Sequence, residues 1–247
     1  MSPIDSSAPA SAAAPAISIV IPVYNEAQIL RPALTELTGK LAALGYDYEL
    51  ILTENGSKDG TQDLLTALAG ELPRLRSLHS TEPDYGKALR RGILAARGAL
   101  VICDEIDLCD DDFYQRALPL LAQGADLVVG SKVMRGAGDR RPFIRRLATR
   151  VLTLLLRLAT GFKGTDTHGL KAFKRERLLE VVNACIIDKD LFASELVIRA
   201  GRMGRDVREI PIRLEEKRQP SINLVKRVPR VLRGLVKLGW TVRVTHR

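Results

Sequence analysis

The sequence predicts an α/β fold: a mostly parallel sheet covered by helices on both faces. Three observations point to it. Short β-branched runs alternate with amphipathic segments through the first half of the 247-residue chain. The first run is apolar almost throughout, as in strands buried on both faces. Each run then ends in a polar cluster, which is where ligands collect in parallel sheets.

Ile17 to Pro22 (ISIVIP) is the first strand, stopped by proline. Ala27 to Leu44 carries apolar residues at helical spacing, with Gly45 as its stop. Tyr48 to Thr53 is the second strand. The turn cluster from Glu54 to Thr61 leads into a helix from about Gln62. Leu75 to Ser80 is a weaker strand, Tyr85 to Ala96 a helix, Ala99 to Cys103 a strand, Asp111 to Ala122 a helix and Asp126 to Ser131 a fifth strand. The second half is less regular. A long amphipathic helix follows Pro142 to about Thr160, and a loop runs from Gly161 to Gly169. Helices are expected over Glu176 to Val182 and Asp190 to Met203, a short strand over Val207 to Ile212, and a helical tail from about Leu224 with Pro229 near its start. Residues 1–16 are Ser, Ala and Pro with few large apolar groups, the composition of a disordered tail.

At 46% hydrophobic residues the chain can bury one substantial core. Aromatics make up 4%, too few for a surface that stacks single-stranded nucleic acid, and no nucleic-acid module is visible. No stretch offers about 18 consecutive apolar residues, so no spanning helix is expected. The N-terminus lacks the order of a secretion signal, and Cys103, Cys109 and Cys185 form no metal-like pair. These features predict a cytoplasmic protein, free or peripheral on a membrane face. The net charge of +9 is uneven. Gly130 to Arg175 holds 12 basic and 2 acidic residues, and Glu216 to Arg247 holds 9 and 1, which leaves the remainder at −9. Two basic segments on an acidic body suit an anionic partner; solvated helix faces would look the same.

The strand ends carry the chemistry. They are Tyr24-Asn25-Glu26, Glu54-Asn55-Gly56, Asp104-Glu105-Ile106-Asp107 and Ser131-Lys132. If the chain stays extended past Cys103, Glu105 and Asp107 point the same way and offer hard oxygens to Mg²⁺ or Mn²⁺. An acidic loop leading into helix caps at Asp110, Asp111 and Asp112 would look similar. Arg135, Arg140 and Arg141 lie in a Gly-containing stretch that could close over a diphosphate or an acceptor phosphate. His168 could ligate a metal or phosphate, although a lone loop histidine is more often structural. Glu195 is a possible general base, or a partner within its helix.

Taken in order, Pro22-Val-Tyr-Asn-Glu26, Glu54 to Thr61, Gly86-Lys-Ala with Gly92 and Gly98, Glu105-Ile-Asp-Leu108, Gly124 to Ser131, Asp166 to Phe173 and Glu209 to Arg213 resemble the family 2 glycosyltransferases of GT-A fold. They are most similar to the branch containing polyprenyl-phosphate (dolichyl-phosphate) mannose and glucose synthases. The resemblance spans about Ile17 to Ser221. It implies a catalytic domain over 17–215, with a nucleotide-sugar half (17–110) and an acceptor half (111–215), followed by a basic amphipathic extension (216–247). It also implies inverting transfer of a hexose from a GDP-mannose or UDP-glucose type donor to an acceptor, with polyprenyl phosphate favoured over a soluble hydroxyl compound. A non-catalytic nucleotide-sugar-binding relative is the alternative from another class.

By the same resemblance, Pro22, Tyr24, Glu26, Glu54, Gly56, Lys87, Asp104 and Glu105 line the donor pocket. Glu105 and Asp107 hold Mg²⁺ or Mn²⁺. Asp107, Lys132 and Arg135 serve catalysis, and Arg140, Arg141, His168, Lys171, Arg218 and Ser221 meet the acceptor or its phosphate. The sequence departs from the family pattern where Glu54, Asn55 and Glu105 replace aspartates, Lys132 replaces arginine and Cys109 stands beside the acidic pair. Of the two basic amphipathic helices, the one after Pro142 is expected to pack Phe143, Ile144, Leu147, Val151, Leu154, Leu155 and Leu158 on the core. The tail is expected to meet an anionic membrane surface.

Overall fold

The computed structural model describes residues 14–214 and 224–244. Nine strands and eight helices are assigned among them. β1 (Ile17–Val23), α1 (Ala27–Ala43), β2 (Tyr48–Glu54), α2 (Thr61–Glu71), β3 (Leu75–Leu78), α3 (Tyr85–Ala95), β4 (Leu100–Cys103), α4 (Asp111–Ala122) and β5 (Leu127–Ser131) follow the predicted alternation. Next come β6 (Gly138–Asp139), α5 (Phe143–Thr160), β7 (Lys171–Lys174) and α6 (Arg175–Ala184). A 3-10 turn (Lys189–Leu191) leads into α7 (Phe192–Arg202), β8 (Val207–Pro211), β9 (Arg213–Leu214) and α8 (Leu224–Val244).

Seven strands form one sheet in the order β3-β2-β1-β4-β7-β5-β8, and β6 pairs with β9 apart from it. Within the large sheet only β7 runs antiparallel, between β4 and β5. The sequence reading missed β7. It has four residues, and its Lys171 is buried, so neither length nor composition marks it as a strand.

The twofold alternation of β1 builds both layers. Ile19 and Ile21 face the cluster formed with α1 and α4, including Leu34, Leu37, Phe113 and Tyr114. Val20 faces the opposite cluster with Leu89, Ile93, Phe173 and Leu196. Strand order reverses between β1 and β4, since β2 and β3 continue on one side and β7, β5 and β8 on the other. Such a switch opens a crevice at the carboxyl ends. Pro22 fits this place despite its lack of an N–H. The Val23 carbonyl accepts from Asn55 on the β2 side, and the Val20 carbonyl accepts from Asp104 on the β4 side. Pro22 shares the parity of Val20 and so faces β4, whose pairing with β1 has ended at Cys103.

A third cluster lies off the sheet. Leu156 of α5 meets Leu235, Leu238 and Val242 of α8, with Ile187, Leu191 and Ile198 beneath them. Here the structure corrects the expectation for α5. Leu155 packs partly against this cluster, but Phe143 (69% exposed), Ile144, Leu147, Val151, Leu154 and Leu158 stay in the open. The helix stands away from the sheet, and α8 with the residues below it covers only a narrow strip.

Two glycines permit close approaches. A Cβ on Gly86 would sit 2.6 Å from the backbone N and O of Lys189. A Cβ on Gly169 would fall inside the van der Waals envelope of the Gly130 carbonyl oxygen, where β5 meets the start of β7. Gly169→Ala is therefore expected to cost roughly 2–3 kcal/mol of stability, read as a lower urea midpoint with an unchanged slope.

Candidate active site

Two loops at the switch are stitched into one wall. Asn25, at φ 55°, receives Lys58 N–H on its side-chain oxygen (2.8 Å) and donates its own N–H to Ser57 Oγ (2.9 Å). Glu26 N–H reaches Thr61 Oγ1 (2.8 Å), and Ala27 N–H reaches Asp59 (3.1 Å). This ties the end of β1 to the end of β2, so Pro22, Tyr24, Glu26, Glu54 and Gly56 share one side of the crevice. Glu54 is buried. Burial works to raise its pKa, but hydrogen bonds from Ser57, Gly56 and His79 hold it below the usual carboxylate range. The Asn55 side chain donates to the Val23 carbonyl at 3.0 Å. Its amide closes the wall, which a carboxylate at that position could not do.

The β4 end departs from the extended geometry expected of it. Leu108 and Cys109 N–H both bond to the Glu105 carbonyl, at 2.9 and 3.1 Å. Residues 105–109 thus form a tight turn with Ile106 buried at its centre. Glu105 and Asp107 flank that buried residue, both partly exposed. Cys109, at φ 45°, belongs to the apolar core beside Phe113 and Ala117 and points its thiol at the Ile106 carbonyl. It packs the base of the turn, so no soft ligand crowds the acidic pair.

Asp104 is 1% exposed. It accepts Glu105 N–H (2.6 Å), Asp110 N–H (3.2 Å) and the Tyr114 hydroxyl. Burial raises its pKa to about 7 against those bonds. Both of its oxygens are occupied in shaping the turn, so Asp104 supports the crevice from behind. Tyr85, which the sequence reading missed, lies across from the turn. It keeps 40% of its surface open, yet desolvation around its hydroxyl, with Glu105, Cys103, Asp104 and Asp107 as neighbours, pushes its pKa well up. Its place just after the Asp84 N-cap, at the helix end facing the crevice, was the available clue.

Lys132 closes the other side. It is 9% exposed and held by Asp166, whose Oδ2 lies 3.2 Å from its backbone N and 3.4 Å from its ammonium. Burial would raise the Asp166 pKa; Lys132 and the His168 N–H keep it low. Asp166 was also missed as a site residue. It and Asp139 are the two acids of the basic 130–175 stretch, and each holds one base. Asp139 grips Arg141 through two 2.9 Å bonds, so Arg141 is fixed in place. Arg135 and Arg140 remain exposed on the same segment. Lys171 is buried next to Cys103 on the sheet, donating to the Gly169 carbonyl at 2.8 Å, and burial lowers its pKa. Lys87, half exposed, pairs with Glu82 at 2.8 Å. Arg218 and Ser221 lie outside the described residues.

His168 and Glu195 are consumed within the protein. The Asp190 carbonyl can only accept, so His168 Nε2–H donates to it (3.0 Å) and Nδ1 accepts from the Thr167 hydroxyl (3.0 Å). Burial, with Lys132 nearby, lowers the His168 pKa to about 4. Glu195 is fully buried, paired with Arg199 (2.7 Å) and accepting Ile186 and Ile187 N–H at 3.0 and 2.7 Å. It anchors a loop and is too deep to act as a base.

Among the described residues, no three His, Cys, Asp or Glu side chains converge as a metal cage. Two partly exposed carboxylates fit the alternative in which Mg²⁺ or Mn²⁺ takes one or two protein oxygens and completes its shell with phosphate and water.

Acidic and basic strand ends thus surround a switch-point crevice, the place where open α/β sheets take their ligands. The sequence model of glycosyl transferase family 2 matches residues 18–182, and the chain belongs to that family. Glycosyltransferase AglD of Haloferax volcanii is 30% identical over 97% of this chain and 39% of its own length. A dolichyl-phosphate β-glucosyltransferase, ALG5A, of Trichomonas vaginalis is 26% identical over 81% of this chain and 66% of its own. The undecaprenyl-phosphate mannosyltransferase of Micrococcus luteus is 29% identical over 80% and 83%. The chain thus spans well under half of the first of these relatives and about two thirds of the second. Among solved structures, glucosyl-3-phosphoglycerate synthase from Mycobacterium tuberculosis, in complex with Mn²⁺, UDP-glucose and phosphoglyceric acid, superposes with a TM-score of 0.64 at 20% identity, over 92% of this chain and 80% of that one. That likeness establishes the shared fold.

An unfolded histidine takes up a proton near pH 6.5, while folded His168 resists until about pH 4. The unfolded chain therefore binds the extra proton in this window, and stability is lost as pH falls through it. In His168→Gln this contribution to the pH slope disappears, which urea unfolding at stepped pH values will read.

Proposed function

We propose that the chain transfers a hexosyl group, with inversion, from a nucleotide sugar of the GDP-mannose or UDP-glucose type to polyprenyl phosphate at the cytoplasmic face of a membrane. One observation carries this reading: Lys132, fixed by Asp166, lies next in sequence to the lining of a cavity on α5, one of two basic amphipathic helices that carry no acid. That cavity, of about 290 Å³, is lined by Val133 next to Lys132, by Thr165 next to Asp166, and by Arg150, Thr153, Leu154 and Arg157 of α5.

In the proposed reaction an acceptor phosphate oxygen attacks the anomeric carbon, and the bond from that carbon to the nucleotide diphosphate breaks. Its electron pair leaves with the diphosphate. A phosphate acceptor is already an anion and needs no base, which agrees with a site whose candidate base, Glu195, is buried in an ion pair. Lys132, pre-aimed by Asp166, stabilises the charge that develops on the leaving group, and Arg135 can close from its exposed segment. Glu105 and Asp107 would hold Mg²⁺ or Mn²⁺, which supplies neutralisation of the diphosphate when bound. The stitched wall at Tyr24, Glu26 and Glu54 orients the nucleoside.

Membrane contact falls to α5 and α8. Neither helix contains an acidic residue. Phe143, Ile144, Leu147, Val151, Leu154 and Leu158 project from α5, and Leu232, Val236 and Trp240 (73% exposed) from α8. Arg146, Arg150, Arg157, Arg233, Lys237 and Arg243 are also exposed on these helices. Such a surface suits shallow burial in an anionic interface, with tryptophan at headgroup level. No helix among the described residues is long and apolar enough to cross a bilayer.

Purified protein with Mn²⁺, UDP-glucose or GDP-mannose, and polyprenyl phosphate in vesicles is expected to form glycosylated lipid. Asp107→Ala should lower kcat/KM roughly a hundredfold or more, and Lys132→Ala by a similar factor. Turnover of a soluble hydroxyl acceptor with none of the lipid phosphate would defeat the lipid assignment. Flotation with anionic vesicles should fall sharply in Val236→Glu/Trp240→Glu and with added salt.

A further inference from the structure

One short segment joins the α5–α8 cluster, the amino end of α3 and the loop that holds Lys132. Residues 186–191 leave α6, pass the amino end of α3, and enter α7. Their apolar side chains, Ile187 and Leu191, are buried in the α5–α8 cluster, and a Cβ on Gly234 of α8 would lie 2.7 Å from Leu191 Cδ1. Their backbone serves the other side. Lys189 N–H donates to Asp84 Oδ1 at 2.9 Å, the oxygen that also caps α3 through Lys87 N–H at 3.0 Å. The same approach is possible because residue 86 is glycine. Lys189 holds a left-handed φ of 54°, and Ile186 and Ile187 N–H are clamped by buried Glu195.

From Lys189 the connection continues to the crevice. The Asp190 carbonyl receives His168 Nε2–H (3.0 Å), His168 N–H donates to Asp166 Oδ1 (2.9 Å), and Asp166 Oδ2 fixes Lys132. Thr167, on the free side of the ring, is bonded to both His168 Nδ1 and Ser194 of α7. A continuous chain of polar contacts thus runs from the helix bearing Tyr85 to the ammonium of Lys132. Its middle is bolted to the helices assigned above to the membrane.

We propose that residues 186–191 act as a positioning strap that sets Lys132 against the donor half, and that His168 is the positioning residue through which the strap reaches Asp166. This goes beyond, but rests on, the transferase reading. It gives a role to a histidine whose two ring nitrogens are both used inside the protein, and it makes the seat of Leu191 under α8 part of the catalytic geometry. His168 acts through Asp166 and touches no reacting atom.

The test compares His168→Ala, His168→Gln and Leu191→Ala in the full chain. His168→Ala should lower kcat for glycosyl lipid formation roughly 10- to 100-fold, because misplacement of a charge-stabilising group by about 1 Å has that effect. The donor KM should stay within about twofold, since the wall at Asn25 and Glu54 is untouched. His168→Gln keeps an N–H donor of similar reach and should recover most of the rate. Leu191→Ala should lower kcat in the same direction while leaving vesicle flotation intact. Amide hydrogen exchange gives a readout independent of turnover: Lys132 and Lys189 N–H should exchange faster in His168→Ala, with β1 and β2 unaltered. An unchanged kcat in His168→Ala would overturn the strap. So would a parallel loss of kcat, donor affinity and thermal midpoint that glutamine fails to rescue. If the wild type transfers nothing to polyprenyl phosphate, the lipid reading fails. The strap is then decided by exchange alone, upheld by faster Lys132 exchange in His168→Ala and overturned by none.

Discussion

Between β1 and β4 the strand order reverses, and everything chemical in this protein is arranged around that gap. The buried run of β1 contributes side chains to both faces of the sheet and then stops at Pro22 and Val23. Polar residues that would be costly inside the sheet are placed just past its ends, where backbone N–H groups and neighbouring side chains satisfy them. Asn25 and Asn55 join the first two ends, the buried Asp104 shapes the third, and Asp166 fixes the lysine at the fourth. The crevice is thus a by-product of sheet topology. The polar groups that line it are held by a second set of residues packed behind them.

Much of this was legible in the residues themselves. The alternation of apolar runs and helical periods located β1 to β5 and their helices, because buried parallel strands leave a strong compositional trace. The polar strand ends were equally visible. What escaped was short or contrary to composition: β7 hides a buried lysine, and Asp166 works from within a loop. The local geometry past Cys103 also escaped, since nothing in Asp104-Glu105-Ile106-Asp107 announces that Ile106 turns inward and makes the chain coil. Lys87 reads as a donor-binding residue and Arg141 as an acceptor-phosphate residue in sequence, and in the structure each has an acidic neighbour, Glu82 and Asp139. Residue type suggested the chemistry, and packing decided which members of each type were available for it.

The departures from the family pattern acquire physical reasons in the same way. Asn55 donates where an acid could not, and Cys109 is an apolar core residue holding the base of the acidic turn. Glu105 hangs from a tight turn whose two N–H groups bond back to its own carbonyl, so its longer side chain starts from a backbone different from that of an extended strand. The apolar strip left bare on α5 is explained by the same spatial logic. The helix is attached through a narrow inner seam to α8 and to residues 187 and 191, and its remaining hydrophobic surface is left uncovered by the described residues.

Pro22 has one more consequence. It faces the side on which β4 has left the sheet, and it carries no hydrogen with which a neighbouring chain could continue the ladder. β1 therefore cannot continue its ladder toward β4 at this position. A single imino acid thus marks where the ladder ends and the crevice begins.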